Sequence, residues 1–403
     1  MAETRALRPP AGLRLANGLF LGLWTVAAVF PLLWTAVMSF KLPVDALADN
    51  PLEVLFGAAT LAQGGGLSVL SLLAGALALV TLYRLPGLFG RRTAEMLAPG
   101  GNTTIGWVGA SLAYLALALA ALYWILPAVI AALAWVLSAI PGLRLLAKPV
   151  FGVTLDHYRS VWIANGFYHN FNNSMIVTLG VVTVSLSVGT LAGYGLARSR
   201  SNLAFWLLIG ALIFRALPYS VLVTGYLPVF INSREILAPL WASPATGWFF
   251  HLFSASAPTL YGRPWAVIMV LVAINQPFTI WMLRSFFHNI PAELDEAARV
   301  DGCSHFGAFW RVIMPVMWPG VITTGLFSFL LAYNDYLVTA LLLDAQSQTM
   351  VPAISGFLNR DTTTTDQIEA IAAAVSITAP LFLLVMVFQK QIVSGLTQGA
   401  VKG

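Results

Sequence analysis

The sequence predicts an all-α polytopic membrane protein with about eight transmembrane helices. Hydrophobic residues make up 59% of the 403 positions, and charged residues only 9%. Several apolar runs are close to the ~20 residues that cross the hydrocarbon core of a bilayer as a helix. This composition argues against a soluble fold. The predicted spans are residues 18–40, 66–83, 106–126, 174–197, 203–231, 265–287, 319–342 and 369–390.

Two of the apolar runs need separate interpretation. Arginines precede the first run, as in a secretory signal, but the stretch Leu19 to Phe40 is too long and lacks a small-residue cleavage site, so we interpret it as a retained span. The stretch 106–140 is too long for one upright helix, and Pro127 is expected to divide it. Residues 128–148 would then continue as a further or interfacial helix. Two full spans there remain an alternative and would invert everything downstream.

The distribution of basic residues predicts the topology. If the N-terminus is cytoplasmic, the cytoplasmic segments hold thirteen of the 21 Lys and Arg residues and the opposite side holds seven, with Arg215 left in a span. Because cytoplasmic loops are enriched in Lys and Arg, both termini are predicted to be cytoplasmic. Loops 150–173, 232–264 and 343–368 would then face an external partner. Basic residues lie at the ends of apolar runs, so topology explains them better than nucleic-acid binding.

One short segment concentrates the charge of this apolar chain. Pro291 suits a first helical turn, nearby acidic residues complement the helix dipole, and Gly302 is a natural stop. Ser304 can cap a second helix, which Pro315 should end. The charged residues are Glu293, Asp295, Glu296, Arg299, Asp301 and Arg311.

The two helices of this segment have different surfaces. On the first, Leu294, Ala297 and Ala298 are expected to share a face that another protein can approach closely. On the second, one aromatic face is expected from the spacing i, i+3, i+4 and i+7, and it could anchor to the membrane helices. The other interpretation is a helix that lies on the membrane surface. Such helices prefer Lys and Arg on their polar side, whereas the first helix of this segment is acidic and anionic lipid would repel it. The aromatic face comprises Phe306, Phe309, Trp310 and Ile313.

The stretch IPAELDEAARVDGCSHFGAFWRVIMPVMWPG resembles the EAA loop of ABC-importer permeases. The motif positions match, while Met314 replaces the usual leucine and Cys303 the usual alanine. NSMIVTLG, LAGYGLARSR, PFTIWMLRSFFHNIP and GLTQGAVKG are similar to the carbohydrate-uptake, MalG-like branch. In that family the loop is a coupling helix that docks into a cytoplasmic ATPase. The resemblance therefore implies ATPase-coupling roles for Glu296, Ala297, Ala298, Asp301, Gly302, Phe306 and Pro315.

The resemblance also implies an architecture. It covers residues 150–403 well and residues 1–45 less securely, whereas 46–149 do not fit. We therefore expect a cytoplasmic N-terminus and first span in 1–45, an inserted pair of helices in 46–149, and a permease core in 150–403 with its EAA loop at 288–318. The core would be that of a six-helix type I importer in the bacterial cytoplasmic (inner) membrane.

The chain has no recognisable nucleotide or metal site of its own. A phosphate-binding P-loop needs a glycine before its lysine, and none of the four lysines has one. The five histidines are scattered, without metal-ligand spacing or a catalytic constellation. We therefore expect a non-catalytic subunit without a cofactor, with ATP and Mg²⁺ bound by a partner ATPase dimer. The family implies three further partners: a second, different permease, a solute-binding protein and membrane lipid.

Polar residues within the predicted spans are candidates for the translocation path. Arg215 is placed near mid-span beside Pro218, where it could line the path or form a structural ion pair. After the charged helix–glycine–helix segment, which we call the elbow, the aromatic–amide–acid order resembles relatives of this branch in Tyr333, Asn334 and Asp335. Aromatic rings beside amide and carboxylate groups suit sugars, although such groups also form hydrogen bonds between membrane helices.

The sequence thus predicts the permease subunit of a binding-protein-dependent ABC importer for a sugar. A di- or oligosaccharide such as an α-glucoside is the narrower expectation. An ion-driven secondary transporter is the alternative, but it would be expected to show internal repeats and more intramembrane carboxylates. A membrane enzyme is disfavoured by the lack of an acid–base or metal cluster.

Overall fold

The computed structural model describes residues 10–97, 113–114, 116–140, 142–199, 201–215, 219–358 and 363–398. The chain divides into two compact units, Met1–His157 and Tyr158–Gly403. The predicted division into a first span, an inserted region and a permease core, with boundaries at residues 45 and 149, stays a prediction.

The first unit combines long apolar helices with a small polar segment. Short helices follow the first long helix, and a two-stranded antiparallel sheet pairs Gly66 with Gly152 and Leu67 with Phe151. Its elements are α1 (Ala11–Ser39), α2 (Pro43–Ala46), α3 (Pro51–Phe56), α4 (Ala58–Ala62), β1 (Gly66–Ser68), α5 (Val69–Leu97), α6 (Ala116–Ser138), α7 (Arg144–Ala147) and β2 (Pro149–Gly152). Helix α8 (Asp156–Arg159) follows in the sequence.

Buried polar side chains hold the short helices together. Asp45 caps α4 by accepting the N–H groups of Ala59 at 3.1 Å and Thr60 at 2.6 Å. Lys41 Nζ donates to the carbonyls of Leu55 at 2.9 Å and Gly152. Burial lowers the pKa of Lys41, against the opposing effect of the Asp45 charge. Burial raises the pKa of Asp45, but hydrogen bonds from Thr60 and Ala59 and the Lys41 charge outweigh it, so the net pKa is lowered.

The second unit is a bundle of helices around α9. Valine and leucine side chains such as Val181, Val267 and Leu271 are fully buried where α9 meets α14. The elements are a π-helical segment (Ser160–Ala164), α9 (Phe167–Arg198), α10 (Asn202–Arg215), α11 (Tyr219–Ile231), α12 (Ser233–Ala242), α13 (Gly247–Phe250), α14 (Pro264–His288), α15 (Glu293–Val300), α16 (His305–Tyr333), α17 (Leu337–Leu342), α18 (Met350–Leu358) and α19 (Thr364–Gln398).

Six helices in the described residues are long and apolar enough to cross a membrane, so the all-α polytopic fold is confirmed. Two predicted spans are not among these six: 66–83 falls on the shorter apolar part of α5, and 203–231 on α10 and α11, with 216–218 outside the described residues. The total of eight therefore stays a prediction. The six helices are Gly12–Ser39, Ala116–Ser138, Phe167–Arg198, Pro264–His288, His305–Tyr333 and Thr364–Gln389.

Two prolines that were expected to interrupt helices do not. Helix α6 continues through Pro127, and α16 continues through Pro315. In each case a π-helical segment ends two residues before the proline, at Ile125 and at Ile313. Proline removes one backbone donor and crowds the carbonyl four residues earlier, and the wider π turn accommodates both effects. Of the predicted span 106–126, residues 106–112 and 115 lie outside the described part.

Glycines let α9 and α14 approach closely. A Cβ at Gly193 would lie 3.0 Å from Leu283 Cβ and 3.1 Å from the Arg284 nitrogen, whereas a Cβ at Gly195 would have nothing within 4 Å. Gly189 lies four residues before Gly193, and a Cβ there would lie 2.7 Å from Thr279 Cγ2. Gly189 and Gly193 therefore form a small-residue interface of the kind typical of membrane helices.

We expect Gly193→Val to destabilise the bundle by at least about 1–3 kcal/mol, because the backbone of α14 would have to move. Gly195→Val on the same helix is the matched control and should have little effect. Thermal unfolding of the two detergent-solubilised variants measures the difference. Equal midpoints would contradict close packing of α9 against α14.

Candidate functional site: the charged elbow

The charged segment folds as the expected helix–glycine–helix elbow. Helix α15 ends at Val300, and Gly302 has a φ of 87°, in the left-handed region that favours glycine. Ser304 Oγ accepts the Gly307 N–H at 3.1 Å and caps the start of α16. Local sequence signals therefore suffice to define both helix ends.

A buried carboxylate fastens the elbow to the membrane helices. Asp295 is 9% exposed. Its Oδ1 accepts the Tyr194 hydroxyl at 2.6 Å, and its Oδ2 accepts the Arg198 Nε–H at 2.8 Å. Tyr194 and Arg198 lie in the last turns of α9. The ion pair thus joins α15 to the end of a spanning helix.

Arg198 connects a third element as well. Its Nη1 donates to the carbonyl of Phe287 at 3.3 Å and to that of Ile290 at 3.1 Å, at and just beyond the end of α14. The last carbonyls of a helix have few backbone partners, and a cation near a helix C-terminus is favourable. One guanidinium therefore holds the ends of α9 and α14 and the start of α15 in a fixed arrangement. We call Tyr194, Arg198 and Asp295 the elbow anchor.

The elbow anchor was missed by the sequence analysis, which treated Asp295 only as a complement to the helix dipole. A signal was present, because Arg198 closes the stretch LAGYGLARSR at the end of a predicted span. An arginine there and an acidic elbow on the same side of the membrane could have been paired. The choice among several acidic residues required the fold.

The two motif alanines differ in exposure. Ala298 is 4% exposed and lies on the inner side with Asp295, whereas Ala297 and Glu296 are exposed. The predicted common face of Leu294, Ala297 and Ala298 is therefore wrong for Ala298, whereas Leu294 and Ala297 are both exposed. The elbow anchor sets the rotation of α15, and residues one position apart in a helix point about 100° away from each other. Of the two alanines, only Ala297 is accessible to another protein.

The predicted aromatic face of the second arm is also divided. Phe309 and Ile313 are buried against α14, whereas Phe306 is 67% and Trp310 is 62% exposed. The π-helical segment Phe309–Ile313 changes the helical period, so the expected alignment of the four side chains is lost. The Phe309 ring packs 4.8 Å from that of Tyr194, so Phe309, rather than Phe306, contacts the membrane helices.

A polar cavity of about 270 Å³ lies beside the elbow anchor. Arg299 Nε donates to the Asp295 carbonyl at 3.4 Å on one side of it. The outer surface of α15 carries exposed charges and a Val300 side chain that is 87% exposed. The cavity is lined by Tyr194, Arg198, Ala292, Asp295, Glu296, Arg299, His305 and Ala308.

The predicted mid-span position of Arg215 stays a prediction, because residues 216–218, which follow it, lie outside the described part of the chain. Arg215 is the last residue of α10 and is exposed, with its guanidinium carbon 4.9 Å from the centre of the Phe278 ring. Pro218, which was expected to act beside it, lies outside the described residues. The contact is a cation–π interaction, so a role for Arg215 in the path stays a prediction.

Tyr333, Asn334 and Asp335 lie at a break between helices rather than inside a span. Helix α16 ends at Tyr333, whose hydroxyl donates to the Ile377 carbonyl at 3.0 Å. Asp335 Oδ1 accepts the Thr339 N–H at 3.0 Å and caps α17. Asn334 is the exposed member of the three. The predicted single helix over 319–342 is wrong, because residues 334–336 are not helical. The role of the three side chains in the path remains a prediction.

A layer of polar residues within the bundle was not predicted. Asn275 Nδ2 donates to Ser328 Oγ at 2.8 Å between α14 and α16, and Gln276 Nε2 donates to the Ser185 carbonyl at 3.3 Å between α14 and α9. Among the described residues, Gln276 Oε1 and Ser185 Oγ are buried without a hydrogen-bond partner. Unsatisfied polar groups inside a membrane bundle are costly, so this layer is a further candidate for the path. The sequence did contain a signal for this layer, because the polar residues of INQPFT, at positions 274–279, interrupt an apolar run.

Comparison with known proteins connects this geometry to a family. Residues 185–398, which include the whole elbow, match the model of the binding-protein-dependent transport system inner membrane component. The diacetylchitobiose uptake system permease protein DasC of Streptomyces coelicolor is 32% identical over 255 residues, covering 62% of this chain and 82% of the relative. The trehalose transport system permease protein SugB of Mycobacterium tuberculosis is 30% identical over 253 residues, covering 62% of this chain and 83% of the relative.

A solved structure of a bacterial ABC transporter for the import of the polysaccharide alginate covers 67% of this chain and 96% of its own. The sequence identity is 19% and the TM-score is 0.45. The family match confirms the resemblance that the EAA-like stretch indicated, and it does not favour an ion-driven transporter. The chain therefore belongs to the binding-protein-dependent transport system inner membrane components, as a multi-pass and non-catalytic permease subunit.

Proposed function

We propose that this chain is the permease subunit of an ATP-driven importer for a sugar, and that the elbow receives force from a separate ATPase dimer. The observation that carries the proposal is the elbow itself: α15 exposes Glu296, Ala297 and Val300 while Asp295 fastens its other side to α9. A helix that is exposed on one face and rigidly held on the other can transmit a push from a partner.

The elbow anchor supports a mechanical route into the membrane. Movement of α15 would pull on Asp295, and through Arg198 on the ends of both α9 and α14. These two helices pack closely along their length, so they would move together. ATP and Mg²⁺ would be bound by the ATPase, and this chain would contribute no catalytic group.

The remaining partners and the orientation belong to the same proposal. A second permease would complete the path, a solute-binding protein would deliver the sugar, and both termini would be cytoplasmic. Relatives named for diacetylchitobiose, trehalose and maltodextrin transport support a di- or oligosaccharide substrate, of which an α-glucoside is the narrower candidate.

The proposal predicts that the purified complex contains the ATPase and that a di- or oligosaccharide, with the binding protein, stimulates ATP hydrolysis. Ala297→Trp should enter the membrane normally, because Ala297 is exposed, yet lose the ATPase, because a large side chain blocks close approach. A panel of solutes and co-purification of the ATPase measure both effects.

Two further variants make the result specific. Ala345→Trp changes an exposed alanine far from the elbow in the sequence and should retain the ATPase. Ala298→Trp should instead lower the amount of folded subunit, because that alanine is buried. Full retention of the ATPase by Ala297→Trp would contradict the docking surface. A complex that responds to no saccharide in the panel would contradict the substrate class.

A further inference from the structure

The loop between α11 and α14 has an unusual composition. Residues 236–262 contain no Asp, Glu, Lys or Arg. Its tip nevertheless exposes large apolar side chains: Trp248 is 69%, Leu252 is 73% and Phe253 is 75% exposed. An uncharged loop that displays such a cluster is poorly suited to water and marks a contact with another apolar phase.

Internal contacts hold the loop in shape. The Trp241 ring stacks on Phe250 at 4.7 Å, and Trp241 Nε1 donates to the Ser254 carbonyl at 2.9 Å. At the base, the Leu260 N–H donates to Ser233 Oγ at 2.8 Å. The apolar tip is therefore presented outward by a closed loop rather than collapsed into the bundle.

The position of the loop favours the bilayer as the apolar phase. Its two ends follow α11 and precede α14, and α14 has 25 residues, about 37 Å of helix, between this loop and the elbow. A helix of that length crosses the membrane, which places the base of the loop at the membrane–water boundary opposite the elbow. Tryptophan is enriched at such boundaries, and apolar side chains can enter them.

Two arginines lie at the base of the same loop. Arg234 and Arg263 line a cavity of about 470 Å³ together with Trp265 and several hydroxyl groups. Neither guanidinium has an ion pair within the described part of the chain. The nearby carboxylate of Asp344 lies against Gly262, accepts the Ser347 N–H at 2.8 Å, and does not line the cavity. The hydroxyl-bearing lining residues are Ser254, Ser256 and Thr259.

We propose that this loop sits on the bilayer surface and binds a phospholipid: Trp248, Leu252 and Phe253 enter the headgroup region, and Arg234 and Arg263 bind the lipid phosphate. Guanidinium groups pair with phosphate through two parallel hydrogen bonds, and the hydroxyls can donate to the remaining oxygens. An acidic protein surface would satisfy the arginines but leave the uncharged apolar tip unexplained. The inference requires only that α14 spans the membrane, so it stands independently of ATPase coupling.

The depth of the tip can be measured with spin labels in the complete transporter in lipid nanodiscs. In a Cys303→Ser background, a nitroxide at Phe253→Cys should be accessible to oxygen and shielded from a water-soluble nickel reagent. A label at Ala345→Cys, on an exposed loop position, should show the reverse. A label at 253 that is fully accessible to the nickel reagent would overturn the membrane seating.

The lipid site is tested by the double variant Arg234→Gln and Arg263→Gln. Native mass spectrometry should show phosphatidylglycerol bound about tenfold more weakly than in the unmodified complex, whereas Arg159→Gln, at an exposed arginine outside the cavity, should not change it. Inorganic phosphate should not compete at millimolar concentration. Strong competition would assign the cavity to a soluble anion, and unchanged lipid binding with lost response to the binding protein would assign it to protein docking. Either result would overturn the proposal.

Discussion

Replacing Asp295 by asparagine is expected to reduce transport by about tenfold or more while the subunit remains in the membrane. The substitution keeps the shape of the side chain but removes the charge that pairs with Arg198. Breaking a buried ion pair costs about 3–5 kcal/mol, and partial exposure of both side chains, 21% and 13%, reduces this to roughly 2 kcal/mol. The elbow would loosen from α9, so ATP hydrolysis should continue with less coupled transport.

Changes at Arg198 should be more severe than those at Asp295. Arg198→Ala also removes the side-chain donor to the carbonyls of Phe287 and Ile290, and within the described part of the chain only that of Phe287 keeps a backbone donor, the Ile290 N–H at 3.1 Å. The end of α14 is therefore held less firmly. The loss caused by Arg198→Lys should lie between those of Asp295→Asn and Arg198→Ala. An ammonium group keeps the charge, but it cannot reach both carbonyls and the carboxylate as the planar guanidinium does. Thermal unfolding and the ratio of sugar transported to ATP hydrolysed, measured in proteoliposomes, should rank the variants in this order.

Glu293→Gln is the matched control for Asp295→Asn. Glu293 is an exposed acid in the first turn of the same helix, and it has no ion pair among the described residues. Both variants remove one negative charge from α15, so a general electrostatic effect would change them equally. If the two behaved alike, the elbow anchor would have no special role in coupling.

The ends of the elbow helices could be predicted from the sequence, but their rotation could not. Gly302 and Ser304 act on their immediate neighbours, so their effect is visible in a few residues. The direction in which Ala297 and Ala298 point depends on Asp295 meeting Arg198, 97 positions away in the chain. No periodicity within the elbow contains that information.

Hydropathy predicted the existence of the spans better than their continuity. Around Tyr333 the apolar character continues on both sides, and only the polar pair Asn334 and Asp335 marks the helix break. The break combines a local contact with a tertiary one: Asp335 accepts the N–H of Thr339, four residues later, and the Tyr333 hydroxyl donates to the Ile377 carbonyl in α19. Conversely, Pro127 and Pro315 signal a break that a π-helical turn absorbs. Proline position alone does not reveal such a turn.

Replacing Gly302 by proline is expected to abolish coupling without preventing membrane insertion. Proline fixes φ near −65°, whereas Gly302 has a φ of 87°. Proline also lacks the N–H that Gly302 donates to the Arg299 carbonyl at 3.0 Å. The two arms of the elbow could then not keep their angle, and we expect transport below about a tenth of normal because proline misplacement costs about 3 kcal/mol or more. Co-purification of the ATPase and sugar uptake in proteoliposomes measure the loss.

Two milder substitutions separate the backbone requirement from steric effects. A Cβ at Gly302 would have nothing within 4 Å, so Gly302→Ala tests the left-handed conformation alone and should cost about 1 kcal/mol. Gly302→Asn should be tolerated better than alanine, since asparagine adopts this conformation more readily. The expected order of transport is therefore glycine, asparagine, alanine, proline. Normal transport by the proline variant would show that the angle between α15 and α16 is not needed for coupling, and the elbow could then not be the element that conveys ATPase closure to α9 and α14.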